Sequence, residues 1–123
     1  MGESQAFPPI LVVEDEYYLA IDLERMLGEA GASTVGPVSS VDAALALIAR
    51  TPLLHGAILD VNLGGRMAFA IADALAARGV PFVFATGYGK QEMPERYVGV
   101  MRLNKPVERP ALADALRQML PAL

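Results

Sequence analysis

Acidic side chains follow two apolar stretches of the chain. Glu14 and Asp15 come directly after the apolar run ILVV, and Asp60 closes the run GAILD. Carboxylates held close together repel one another unless a cation lies between them, and oxygen-only ligands suit Mg²⁺. We therefore expect Asp15 and Asp60 to bind Mg²⁺ directly. Glu14 would act through water, and the backbone carbonyl of Asn62 would be a further ligand.

A helix cap is the simpler explanation for the first group of acids. Glu14, Asp15 and Glu16 stand at the start of a helical pattern, where negative charge is favoured by about 0.3–1 kcal/mol. Helix capping accounts for one or two acids at this position. It does not account for Asp60, which follows a different apolar run.

Asp60 also has the chemistry of a phosphoryl acceptor. A carboxylate can attack phosphorus and form an aspartyl phosphate, and the protein then contributes mainly positioning and neutralising charge. Lys105 would pair with one phosphoryl oxygen as a point charge, and Gly64 with Gly65 would let the backbone approach. Taken alone, a turn or N-cap aspartate remains the alternative for Asp60, and a solvated lysine the alternative for Lys105.

The apolar run VPFVFA leads into Thr86, whose hydroxyl could donate a hydrogen bond to another phosphoryl oxygen. Gly87 and Gly89 would let the loop approach that oxygen, and Gly87 would offer a backbone N–H. Tyr88 is interpreted as a candidate reporter of the loop conformation. The alternative for Thr86 alone is a strand residue whose hydroxyl bonds to the backbone.

Strand and helix patterns alternate along the chain, and these elements would position the polar residues. Continuous apolar runs separated by helical patterns favour a parallel sheet covered on both faces. The predicted fold is α/β: a flavodoxin-like, doubly wound sheet of five parallel strands in a (βα)5 three-layer sandwich. Ligands in such folds bind beyond the carboxyl ends of the strands. The predicted strands are residues 10–13, 33–38, 56–60, 80–85 and 100–104, and the helical patterns are 19–27, 41–49, 67–77 and 110–120.

Three features predict where helices begin and end. Gly31 is placed to close the first helix, and Ser39 with Asp42 resembles a capping box for the second. Pro94 stands inside the segment before the last strand, where the helical signal fades. We therefore expect a shortened or irregular fourth helix.

The composition narrows the class of protein. The chain has 123 residues, which fits one domain, and we expect it to span residues 9–123 after a tail at residues 1–8. The absence of cysteine excludes disulfides and a thiolate zinc site. A net charge of −4 without a basic cluster predicts no nucleic-acid partner. No apolar run approaches the ~20 residues that span a bilayer, and no signal peptide is visible, so the expected location is cytoplasmic, without a membrane partner.

With these residues in place, the chain resembles the receiver domain of bacterial two-component response regulators over essentially its whole length. The family's motif residues at the strand ends all have a counterpart here: the acidic pair Glu14 and Asp15, the phosphoacceptor Asp60, the metal-ligating carbonyl of Asn62, the switch residue Thr86, and Lys105, the lysine before proline. As a set with this spacing, the match is specific.

The resemblance implies a single-domain response regulator rather than an enzyme. Such a protein accepts a phosphoryl group on Asp60 from a histidine kinase or phosphotransfer protein, with Mg²⁺, and then switches a protein-binding surface. The segment PFVFATGYG is similar to the subgroup known for a Phe-Ala-Thr-Gly-Tyr motif. Its members are often stand-alone receivers paired with kinases of the HWE or related type. Receivers often dimerise, so a homodimer is a further expectation.

Two positions depart from the family's usual pattern. Glu14 stands where the first acid is commonly aspartate, and Arg102 stands where an aromatic switch residue usually precedes the lysine by three positions. Arg102 is therefore a candidate switch position of unusual type. Tyr88 is expected to assume part of the aromatic residue's role.

Two other functions stay open at this point. A haloacid-dehalogenase-type phosphatase also uses an aspartate nucleophile with Mg²⁺, but it needs a second acid two residues later, where this chain has Asn62. Its nucleophile also ends the first strand, whereas Asp60 follows the third predicted one. The second alternative is a receiver-like domain that binds a partner without phosphorylation, which Glu14 and Arg102 favour.

Overall fold

The computed structural model describes residues 7–87 and 93–120, which form a parallel sheet with helices on both faces. Its strands are β1 (Pro9–Val13), β2 (Ser33–Val38), β3 (Gly56–Asp60), β4 (Asn62–Leu63), β5 (Arg66–Met67), β6 (Phe82–Thr86) and β7 (Arg102–Asn104). Its helices are α1 (Tyr17–Glu29), α2 (Val41–Ala49), α3 (Phe69–Ala77) and α4 (Arg109–Met119), with a short 3-10 turn at Glu95–Tyr97.

The main sheet has five parallel strands in the order β2-β1-β3-β6-β7. This architecture confirms the predicted α/β, doubly wound fold. The short strands β4 and β5 pair with each other in a separate antiparallel hairpin. Because β3 lies at the centre of the main sheet, the residue that ends it lies between the ends of β1 and β6.

Alternating side chains of the strands build two hydrophobic cores, one on each face of the sheet. In β1, Leu11 and Val13 join the core with α2 and α3, whereas Ile10 and Val12 join the core with α1 and α4. This two-residue period is the one that a pleated strand imposes. Each fully buried aliphatic side chain contributes about 1.5–3 kcal/mol, so the strands are fixed from both sides.

The ends of two helices test the predicted caps. Helix α1 ends at Glu29, and Gly31 has a φ of 89°, which confirms the predicted glycine at C′. The predicted cap of α2 at Ser39 is wrong by one residue. Ser40 is the N-cap, since its Oγ accepts a hydrogen bond of 3.1 Å from the N–H of Ala43. Ser40 directly precedes the helix, so its oxygen reaches the third helical N–H.

The predicted helix over residues 67–77 begins later than expected, at Phe69. Met67 instead belongs to the β4–β5 hairpin, whose turn residues Gly64 and Gly65 have φ angles of 62° and 99°. Two consecutive positive φ angles define the tight hairpin turn that matches strand twist, and glycine adopts them without strain. Met67 is therefore an apolar residue of the hairpin rather than of the helix, so the apolar pattern predicted the start of the helix two residues too early.

The segment between β6 and β7 carries the 3-10 turn Glu95–Tyr97, preceded by Pro94 at its N-cap. This short turn agrees with the expected shortened or irregular helix between the last two strands of the main sheet, a different segment from α4. Residues 88–92 of the same segment lie outside the described residues. Among the residues that are described, no helix is long and apolar enough to cross a membrane.

Candidate functional site

Polar side chains meet at the carboxyl edge of the sheet because four neighbouring strands run in the same direction. Asp60 ends β3 and pairs with Ala85 of β6, while Thr86 ends β6 and pairs with Asn104 of β7. These strand ends open into one cleft, which is lined by Asp15, Glu16, Asp60, Val61, Asn62, Gly64, Gly65, Thr86, Gly87 and Lys105. The loops after β1 and β7 complete the cleft, and the β4–β5 hairpin forms one wall.

Lys105 lies between two buried carboxylates. Its Nζ is 2.9 Å from Asp60 Oδ2 and 3.0 Å from Glu14 Oε1. The side chains of Asp60 and Glu14 are only 6% and 1% exposed. A single ammonium therefore compensates two buried carboxylates. Burial of either carboxylate without a positive partner would be strongly unfavourable.

Burial raises the pKa of Asp60 to about 7, even though its hydrogen bond to Lys105 acts in the opposite direction. The charge of Glu14 and a hydrogen bond with the Asp15 carboxyl raise the pKa further. Burial acts to lower the pKa of the Lys105 amine, but hydrogen bonds to Asp60 and Glu14 outweigh it and leave that pKa raised. The cleft therefore retains more negative charge than one lysine neutralises.

The acidic group has the composition of a site for a hard cation. Carboxylate oxygens of Glu14, Asp15 and Asp60 all lie within 4.8 Å of one another. Glu14 and Asp60 are buried, whereas Asp15 is exposed to the cleft. Oxygen ligands and a raised pKa of Asp60 both fit Mg²⁺, because a divalent ion would supply the positive charge that the cleft lacks.

Asn62 and Thr86 both line the cleft. The N–H of Asn62 donates a hydrogen bond of 3.2 Å to Asp60 Oδ1, and its side-chain Oδ1 accepts one of 2.7 Å from the N–H of Gly65. Thr86 is 8% exposed in the wall of the cleft. Its backbone carbonyl accepts a hydrogen bond of 2.9 Å from the N–H of Lys105, which ties the two residues together across β6 and β7.

Solved structures with this fold include the REC domain of the PhyR response regulator from Erythrobacter litoralis. It is 20% identical to this chain, covers 97% of this chain and 94% of its own, and has a TM-score of 0.78. At this identity the similarity shows the fold and nothing more. SdrG from Sphingomonas melonis Fr1 is 41% identical, with coverage of 94% and 98% and a TM-score of 0.83. The chain belongs to the response regulator receiver domains. It matches no family model and no curated protein.

SdrG has also been solved in a BeF3-activated conformation, from Pseudomonas melonis Fr1. That structure is 40% identical to this receiver domain, covers 94% of this chain and 98% of its own, and has a TM-score of 0.78. The relationship therefore extends over nearly the whole of both chains.

Of the two predicted switch positions of this receiver domain, one lies among the described residues. Arg102 is the first residue of β7 and is exposed. Tyr88 lies outside the described residues.

His55, the only histidine, precedes β3 at the opposite end of the sheet. Its backbone N–H donates a hydrogen bond of 2.9 Å to the carbonyl of Pro9. It is remote from the cleft.

An aromatic residue that sequence reasoning missed lies in the segment before β7. The ring of Tyr97 is 6% exposed and has its centroid 5.5–6.3 Å from three phenylalanine rings, those of Phe69, Phe82 and Phe84. Its hydroxyl donates a hydrogen bond to Asp73 of α3, which also accepts two from Arg96. Tyr97 lies between Arg96 and Val98 in a segment with no strand or helix period, so no sequence pattern singled it out.

Proposed function

We propose that this protein is a stand-alone response regulator whose Asp60 accepts a phosphoryl group from a histidine kinase or phosphotransfer protein. The observation that supports this function best is the contact of 2.9 Å between the buried Asp60 carboxylate and Lys105, beside Glu14 and Asp15. A reactive carboxylate, an ammonium and further acids within reach are the parts that phosphoryl transfer to an aspartate requires.

In the proposed reaction, a carboxylate oxygen of Asp60 attacks phosphorus, and the bond between phosphorus and the donor imidazole nitrogen breaks. The donor imidazole, which carries a proton on its other ring nitrogen, leaves as neutral imidazole, and an acyl phosphate forms on Asp60. Lys105 neutralises one phosphoryl oxygen, and the Thr86 hydroxyl and Gly87 N–H donate hydrogen bonds to others. Mg²⁺ would be held by Asp15, Asp60 and the Asn62 carbonyl, with Glu14 through water, and would supply positive charge to the phosphoryl oxygens.

The proposed output is a change of surface rather than a catalytic turnover. Thr86 and Lys105 belong to neighbouring strand ends, so new bonds from both to one phosphoryl group would draw the ends of β6 and β7 together. A switch of this kind is a bistable element biased by new charge-assisted hydrogen bonds. Tyr88 and Arg102 are the proposed switch positions, and the related SdrG has a BeF3-activated conformation.

Several finer expectations belong to the same proposal. The receiver domain would span residues 9–123 after the tail at 1–8, and its Phe-Ala-Thr-Gly-Tyr motif would place it in the corresponding subgroup. Its partners would be the phosphodonor and an unidentified downstream protein in the cytoplasm, with a homodimer as a further state. The phosphorylated aspartate itself, not a released product, would carry the signal.

Intact mass spectrometry tests the proposal directly. Incubation of the wild type with acetyl phosphate and Mg²⁺ should add the mass of one phosphoryl group, and Asp60→Ala should add none. Asp42→Ala is the matched control, since Asp42 is an exposed carboxylate outside the cleft. No mass gain by the wild type would favour a domain that binds partners without phosphorylation. Rapid hydrolysis of a simple phosphomonoester would favour a phosphatase.

A further inference from the structure

We propose that copies of this chain associate head to tail, through two exposed apolar patches that lie at opposite edges of the sheet and carry opposite charge. The inference goes beyond the proposed function and does not rest on it. Among residues 7–87 and 93–120, the large hydrophobic side chains that stay exposed are those of Phe7, Tyr17, Tyr18, Leu53 and Val98. Exposed apolar groups that cluster mark interaction sites, whereas single ones are ordinary. All of these residues except Val98 fall into two pairs, one at each edge of the sheet.

The first pair is Tyr17 and Tyr18, which begin α1 at the carboxyl edge of the sheet. They are 71% and 80% exposed, and their rings meet edge to face with centroids 5.3 Å apart. The two residues before them, Asp15 and Glu16, are exposed as well, and among the described residues no basic side chain forms an ion pair with either. These four residues, the head patch, are therefore aromatic and negatively charged.

The second pair is Phe7 and Leu53, which are 60% and 62% exposed. Phe7 lies two residues before β1, and Leu53 lies three residues before β3. Because β1 and β3 are adjacent and parallel, with Ile10 opposite Gly56, both side chains belong to the amino edge of the sheet. This edge is the one opposite the head patch.

Two arginines accompany the second pair. Arg50 and Arg78 are exposed and follow α2 and α3, which end at the amino edge. Arg78 donates hydrogen bonds of 2.6–2.9 Å to three carbonyls of the segment 48–52, so it fixes the loop that leads to Leu53 and keeps its charge. Within the described part of the chain no carboxylate forms an ion pair with either arginine. The tail patch, made of these arginines with Phe7 and Leu53, is therefore apolar and positively charged.

A second copy of the chain fits both patches at once. The head patch of one copy attracts the tail patch of another, whereas two heads or two tails repel each other. A contact between unlike patches is heterologous, and because the patches lie at opposite edges, each added copy leaves one head and one tail free. Each patch has only two large apolar side chains, which is far from the roughly 800 Å² per partner that a stable interface buries. We therefore expect a weak contact that forms at high concentration and extends as an open chain.

Analytical ultracentrifugation of the wild type in EDTA, without a phosphodonor, tests the association by itself. The weight-average mass should rise above the monomer value of 13.1 kDa as the concentration approaches about 1 mM, without a plateau at the dimer. It should fall back in about 1 M NaCl, which shortens the screening length to about 3 Å. A mass that stays monomeric, or that levels off at a closed dimer, overturns the proposal. Neither result depends on whether Asp60 accepts phosphate.

Two blocked variants test the head-to-tail arrangement. Leu53→Asp places a negative charge in the tail patch, and Tyr18→Lys places a positive charge in the head patch. Both side chains are exposed, so neither change should disturb the core. Each variant alone should stay monomeric, because one of its two patches is blocked. An equimolar mixture should approach twice the monomer mass and go no further, since the intact head of one variant binds the intact tail of the other.

Val98→Ser is the matched control, because Val98 is 58% exposed and belongs to neither patch. This variant should associate as the wild type does. A mixture of the two blocked variants that stays monomeric, at a concentration where the wild type associates, would rule out the head-to-tail contact. Association of either blocked variant alone, or its loss in Val98→Ser, would show that other surfaces join the copies and would overturn the proposal equally.

Discussion

At the scale of single residues, the cleft is short of positive charge. Three carboxylates lie within 4.8 Å of one another, and Lys105 is the cation that contacts two of them. The result is the raised pKa of Asp60, whose first cause is burial and whose further causes are the neighbouring acids. Proton, lysine and metal therefore compete for one carboxylate, and pH becomes a direct probe of it.

Asp60 should make the metal-free protein less stable as pH rises. Its pKa is raised from 3.8 to about 7 on folding, so the folded state binds more protons than the unfolded state between these values. The free energy of unfolding then falls as pH rises through this window. Urea unfolding in EDTA should show that Asp60→Asn gains stability relative to wild type from about pH 5 to about pH 8, by on the order of 1–3 kcal/mol.

Loss of the contact with Lys105 adds an offset to Asp60→Asn, but that offset does not change between these pH values because the lysine stays protonated. His55 is present in both proteins and drops out of the difference. A stability difference that stays flat with pH would contradict the raised pKa.

At the scale of elements, Tyr97 attaches the segment before β7 to the sheet and to α3. Truncation of this ring in Tyr97→Ala should lower the free energy of unfolding by about 3–5 kcal/mol, as expected for a buried aromatic side chain. Tyr97→Phe keeps the ring packed against Phe69, Phe82 and Phe84 and removes only the hydroxyl, so its loss should stay below about 1.5 kcal/mol. Chemical denaturation measures both variants.

Equal losses for the two variants would show that the hydroxyl bond to Asp73, not the ring, holds the segment. The exposed pair of Arg96 and Asp73 should add little, because solvent screens the attraction between exposed charges. An Arg96→Ala variant provides this comparison.

The turn of the β4–β5 hairpin requires glycine at position 65 because of the backbone conformation there, not because a side chain would clash with a neighbour. A Cβ at Gly65 would meet nothing within 4 Å, yet its φ is 99°. Gly65→Ala should therefore destabilise the protein by about 1–2 kcal/mol. Gly28 in α1 is the matched control, because a Cβ there also meets nothing, and Gly28→Ala should stabilise by about 0.5 kcal/mol. Thermal unfolding of both variants should shift in opposite directions, and shifts of the same sign would refute the explanation.

The sequence predicted the elements that have a strong period and missed those that do not. Strands β1, β3 and β6 are apolar runs that alternate with helices, so their order of appearance was visible, whereas β2 and β7 have weaker strand patterns. The hairpin was missed because strands of two residues are too short for a pattern, although the glycine pair at its turn was a usable signal. Tyr97 was missed because its burial depends on rings from α3 and β6, which are distant in sequence.

The candidate site was predictable for a related reason. In a parallel sheet, polar residues that end separate strands are brought to one edge by topology alone, so Asp60, Thr86 and Lys105 could be grouped without any distance. The partition of contacts within the group was not predictable. That Glu14 contacts Lys105 while Asp15 stays exposed depends on the first turn of α1 and on rotamers, for which spacing carries no information.

At the scale of the whole molecule, cation binding should stabilise the fold in a pH-dependent way. A ligand that binds only the folded state raises the free energy of unfolding by mass action, and protons compete with the metal for Asp60. Saturating Mg²⁺ should therefore raise the urea midpoint more at about pH 8 than at about pH 5.5. Asp15→Asn is the control and should gain little at either pH. Equal gains for the wild type at both pH values would argue against Asp60 as a ligand.

The edge of the sheet formed by β2 limits how this protein can associate with others. Its register with β1 is irregular between Leu11 and Val13, opposite the exposed pair Gly36 and Pro37. Proline offers no N–H to a further strand, and an irregular edge is a poor template for one. Sheet extension by an added strand is therefore disfavoured along β2, and a binding partner there would have to recognise shape and side chains instead of backbone.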